Sequence, residues 1–77
     1  LPVFEYFITK RNKKKYLNFR WDALLGFEMP LLVKINELDF DWIYPTEKWK
    51  EIELVNIKEK DFKIENDLFL INVNKIK

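Results

Sequence analysis

The chain has 77 residues, 14 basic and 13 acidic, for a formal net charge of +1, with neither histidine nor cysteine. That length holds one domain with a modest core, and the balanced charge gives no global field to hold nucleic acid or an anionic membrane. Without cysteine there is no disulfide framework or thiolate site, and no apolar run approaches the ~20 residues of a membrane span.

Hydrophobic residues make up 48% of the chain and aromatics 17%, a composition that folds rather than stays disordered. The apolar residues recur with period two, which predicts antiparallel strands with one face on a core. In chain order, Phe4, Tyr6 and Ile8 form a first strand, apolar on both faces. Arg11-Asn12-Lys13-Lys14-Lys15 turns into a second strand with Leu17, Phe19 and Trp21 inward. Pro30 starts a third strand carrying Leu31, Val33 and Ile35, with Met29 opening its inward phase. Asn36-Glu37 stands where a tight hairpin belongs, and Phe40 and Trp42 continue the inward phase beyond it. After the Pro45-Thr46 break, Ile52 and Leu54 alternate with Glu51 and Glu53. Thr46 to Glu53 is the best helical window, and strand is still the stronger reading there. Asn56 and Glu65-Asn66-Asp67 mark later breaks, and the closing run, Leu68 and Leu70 on one phase and Phe69, Ile71 and Val73 on the other, is apolar on both faces. This terminal strand, like the first, is expected to be covered on two sides. The sum is about seven short strands: one all-β domain over residues 1–77, an antiparallel two-sheet sandwich of immunoglobulin-like type.

Chemistry is sparse. Histidine, the commonest acid–base group and a near-universal zinc ligand, is missing. Serine is absent too, and Thr9 and Thr46 have no base beside them. The carboxylate pairs Asp39 with Asp41 and Glu51 with Glu53 fall on the polar phase of strands, where a solvated face is the better reading than catalysis or calcium binding. The basic run Arg11-Lys15 reads as a solvated turn ahead of a phosphate grip. Trp21 and Trp42 sit in the apolar phase, which favours core over a sugar-stacking role, while Trp49 is undecided. Gly26, the only glycine, supplies a candidate positive φ in the connection Gly26-Phe27-Glu28-Met29-Pro30.

That connection belongs to a wider pattern. Tyr16-Leu17-Asn18-Phe19-Arg20-Trp21, then Gly26-Phe27-Glu28-Met29-Pro30, then Val33-Lys34-Ile35-Asn36 resembles the C-terminal β-domain of bacterial aminopeptidase N-type zinc metallopeptidases, the gluzincins. Tyr44-Pro45-Thr46, Trp49 and Asp67-Leu68-Phe69-Leu70 extend the likeness over nearly the whole chain. Glu28 stands where the family usually has Asp, Asn36-Glu37 where it has Asn-Gly, and Phe19 where it has Tyr.

The resemblance implies a non-catalytic accessory sandwich appended to a zinc aminopeptidase. Its partner would be the catalytic or helical domain of the same parent chain. The zinc would be bound there by a His-Glu-x-x-His helix, so no cofactor, metal or catalytic residue is expected in this chain. The chain begins at Leu1, which suggests a piece cut from a longer polypeptide, and the resemblance slightly favours a periplasmic or extracytoplasmic parent. The cysteine-free composition also suits the cytosol. The rival reading is a carbohydrate- or protein-binding module, which exposed, coplanar tryptophans would favour. For the accessory reading, Phe27 and Glu28 are the expected interdomain docking residues, with Met29 claimed by the core and Phe27 free to project.

Overall fold

The structure is a computed structural model describing residues 1–65 and 71–76. The expected closing motif Asp67-Leu68-Phe69-Leu70 lies outside the described residues. Seven strands are present among the described residues: β1 (Val3–Arg11), β2 (Lys14–Asp22), β3 (Leu31–Lys34), β4 (Phe40–Ile43), β5 (Lys50–Leu54), β6 (Ile64–Glu65) and β7 (Asn72–Lys75). A 3-10 turn, Glu59–Asp61, precedes β6, and the best helical window of the sequence instead leads into β5.

The strands form two sheets, β5-β2-β1-β7 and β4-β3-β6, which is the expected all-β sandwich. Strands 1, 2 and 5 share one sheet and 3 and 6 the other, as in immunoglobulin sandwiches. Strand 4 differs by hairpinning onto β3. Strand 7 differs by crossing to β1, where it pairs parallel in an otherwise antiparallel sheet.

Register explains the core. The β1–β2 hairpin closes with Arg11 opposite Lys14, leaving a two-residue loop in which Asn12 and Lys13 both have positive φ (50° and 66°). Two such residues give a type I′ twist that matches the strands. The register places Phe4 opposite Trp21, Tyr6 opposite Phe19 and Ile8 opposite Leu17, one inward row across two strands. From the other sheet, Leu31, Val33 and Ile43 close over that row, and Leu54 and Ile57 fill its far end. Phe4, Leu17, Trp21, Leu31 and Val33 are completely buried. Ile35, Ile52 and Met29 pack against the cluster at its margin. No charged or polar residue is buried among the described residues, so this core relies on apolar area alone.

Two inward assignments are corrected. Phe40 and Trp42 are 42% and 46% exposed, and the inward residue of β4 is Ile43. A two-residue loop at Asn36-Glu37 would have set Val33 opposite Phe40 and Leu31 opposite Trp42. The observed partners are Asp41 and Ile43, one residue further on. A slip of one residue turns every side chain of a strand to the other face. The cause is local: the Asn36 carboxamide oxygen accepts from the backbone N–H groups of Leu38 and Asp39, at 2.9 and 3.0 Å. That builds an Asx turn inside a longer loop. The closing run is corrected in part: Ile71 packs against the core, but all four residues of β7 are exposed, and Leu68, Phe69 and Leu70 lie outside the described residues.

Candidate functional site

The outward face of the four-stranded sheet satisfies its own polar groups. Arg20 pairs with Glu5 at 2.7 Å and stands 5.2 Å from the Trp49 ring centre, while Trp49 meets Phe7 edge-on. Asn18 donates to the Thr9 hydroxyl. Arg11 lies 4.0 Å over the Tyr16 ring and donates both terminal nitrogens to Glu51, at 2.9 and 3.0 Å. That guanidinium holds the Glu51 carboxyl below its ordinary pKa, first through the hydrogen bonds and then through its charge. On the inner face, partial burial raises the Tyr6 phenol above its ordinary value.

These contacts decide the sequence candidates one by one. Glu51 is held by Arg11, and the Asp41 carboxylate accepts from the Trp42 backbone N–H at 2.9 Å. Among the described residues there is no group of three metal-ligating side chains. The basic run is dispersed: Arg11 turns to Glu51, Lys13 forms the hairpin tip, and Lys15 reaches across to donate to the Ile57 carbonyl at 3.0 Å. The tryptophans form no common platform. Trp21 is completely buried, Trp42 belongs to the three-stranded sheet, and Trp49 precedes β5 in the other one.

What remains is the connection between β2 and β3. The Phe27 N–H donates to the Leu24 carbonyl at 2.9 Å, and Gly26 has φ +83°. A four-residue turn with positive φ at its third position is the type II pattern, and glycine adopts that φ without steric cost. The turn is braced from below: the Phe27 ring stands edge-on to Trp21, with centroids 5.2 Å apart at 89°. The indole nitrogen of Trp21 donates to the Met29 carbonyl at 3.0 Å. Phe27 is therefore half-buried against the core margin rather than free to project.

The projecting residues are its neighbours. Leu24 and Leu25 are 86% and 89% exposed, and Leu1, Pro2, Ala23, Leu24 and Phe27 line a hollow of about 470 Å³ beside them. Glu28 is exposed, as expected. The sequence reading singled out the glycine, aromatic and carboxylate here but passed over the two leucines. Their signal was present: a Leu-Leu pair outside the period-two pattern, directly before the only glycine.

Comparison with protein-family models, curated proteins and solved structures finds no match to the chain.

Proposed function

We propose that the chain is a non-catalytic accessory sandwich that docks onto a larger protein through the turn at residues 24–27. The observation that carries this reading is the near-complete exposure of two adjacent leucines on a turn held in place by Phe27, Gly26 and Trp21. An exposed leucine by itself is ordinary. Two on a braced turn, beside an apolar hollow, make a patch of the kind that marks an interaction site. Loops at the end of a rigid sandwich are also where such domains meet partners.

The parent suggested by the sequence resemblance is a gluzincin aminopeptidase, whose zinc and catalytic base would lie in a separate domain. In that setting Phe27 supports the docking turn from behind, Glu28 stands at its rim, and Leu24 and Leu25 make the contact. The absence of His, Cys and Ser leaves this chain without the usual ligands and nucleophiles, in keeping with an accessory role. The test is to read the coding sequence upstream of Leu1. A His-Glu-x-x-His motif followed by a distant glutamate supports the reading, and an unrelated upstream domain removes the peptidase.

A second reading, a carbohydrate-binding module, is favoured by one observation: Trp49 is 46% exposed beside Phe7 on an open sheet face. It ranks second because Arg20 lies near that ring and the other half-exposed tryptophan, Trp42, stands on the other sheet. Glycan-array binding lost in Trp49→Ala would promote it.

A further inference from the structure

The docking reading leaves the partner's chemistry open, and the charges around the turn narrow it. Asp22 and Glu28 flank the apolar turn, both exposed. Among the described residues neither makes an ion pair, although Arg20, two residues before Asp22, is engaged by Glu5. From Asp22 to Val33 the chain contains no lysine or arginine at all. Along the chain Leu24 and Leu25 therefore stand between two carboxylates with no cation of their own segment. Lys50 shares a pocket wall with Glu28 but donates its ammonium to the Tyr44 carbonyl at 2.7 Å.

We infer that the occupant of this end is a protein surface with an apolar socket rimmed by lysine or arginine; the inference rests on the docking reading above. The leucines supply apolar area to the socket, and the hollow lined by Ala23 and Phe27 accepts a bulky side chain in return. The carboxylates select for a basic rim and act mainly on encounter rate and discrimination between partners. The same charges disfavour the two obvious competitors. A second copy meeting this one through the same patch would bring four carboxylates together. An anionic lipid surface would repel both.

The test is to pan a displayed random-peptide library on the full chain, with sedimentation of the chain alone and phosphatidylserine vesicle binding run alongside. Leu25→Asp, and the pair Asp22→Lys with Glu28→Lys, serve as variants, each checked by thermal melting for an unchanged fold. The expected result is enrichment of peptides joining two or more bulky apolar residues to lysine or arginine. Their affinity should fall about tenfold or more in Leu25→Asp. In the charge-reversed pair, panning should instead enrich acidic peptides. Enriched peptides without basic residues, or no change on charge reversal, overturn the basic rim while leaving a docking turn. Binding unaffected by Leu25→Asp, or no enrichment at all, overturns the docking reading and this inference with it. A dimer in sedimentation, or retention on vesicles, assigns the patch to a second copy or a membrane and overturns the inference alone.

Discussion

Trp21 is fully buried, yet its indole N–H keeps a partner by donating to the Met29 carbonyl. A buried indole that lost this acceptor would cost ~1–3 kcal/mol, so the bond ties the loop to the core. On the core side the ring meets Phe4 edge-on at 5.6 Å, and on the loop side it meets Phe27 in the same manner. Phe27 and Leu25 lie two positions apart and should respond unequally to substitution. Phe27→Ala removes a half-buried ring and an edge-to-face contact, and is expected to cost about 1–3 kcal/mol in chemical denaturation. Leu25→Asp changes a side chain already in solvent and should stay within about 0.5 kcal/mol of the parent. A loss above about 1 kcal/mol for Leu25→Asp would show that the leucine packs on the domain and is not available to a partner. The difference between these two residues was not legible in the sequence. A Phe between glycine and glutamate looks free to project, and only the three-dimensional return of the turn over Trp21 shows otherwise.

At the scale of elements, the two hairpins differ in how openly their sequences declare register. The β1–β2 hairpin is flanked by long alternating runs on both sides, and only the two-residue loop at Asn12-Lys13 keeps Phe4, Tyr6 and Ile8 facing Trp21, Phe19 and Leu17. This part of the fold was readable because nine consecutive pairs agree on one phase. The β3–β4 hairpin has four pairs and apolar residues in both phases of β4, Phe40 and Trp42 in one and Ile43 in the other. Period-two reading cannot choose between them, because the Asn36 turn that fixes loop length acts through a side chain rather than through composition. The same weakness leaves β4 with its aromatics outward. Asp41 partly offsets this by taking up the Trp42 backbone N–H, which removes a donor that another strand could use. The first hairpin also carries a local cost. Lys13 holds φ 66°, a conformation disfavoured for a residue with a Cβ. Lys13→Gly yields the Asn-Gly pair that type I′ turns prefer, and should stabilise the domain by about 0.5 kcal/mol after the added freedom of the unfolded chain. Urea titrations of the two proteins, compared at equal m-value, decide it. A destabilised Lys13→Gly protein would mean that the lysine side chain contributes more at the hairpin tip than its backbone strain removes.

For the whole molecule, the decisive feature is that neither sheet has a core of its own. Phe4, Leu17, Phe19, Trp21 and Leu54 come from the four-stranded sheet, whereas Leu31, Val33 and Ile43 come from the three-stranded one. Each set is covered chiefly by the other, with Ile57, Phe27 and Phe62 from the connections closing the margins. The backbone adds further ties: Trp21 N–H donates to the Thr46 carbonyl at 2.7 Å, and Val55 N–H to the Ile35 carbonyl at 3.2 Å. The three-stranded sheet is little more than the β3–β4 hairpin, since β6 has only two residues. Stripped of its partner it would expose its whole apolar face, and an isolated hairpin is marginally stable at best. The domain should therefore unfold as one unit, with a total stability of about 4–11 kcal/mol at this size. The tryptophans provide the measurement. In the double variant Trp42→Phe, Trp49→Phe, fluorescence reports only on Trp21 at the centre of the shared core, while far-UV circular dichroism reports on the strands of both sheets. The two signals should follow the same curve in urea, with one midpoint and one slope. If the Trp21 signal changes at lower urea than the dichroism, the sheets part before they unfold, and the single shared core described here is wrong.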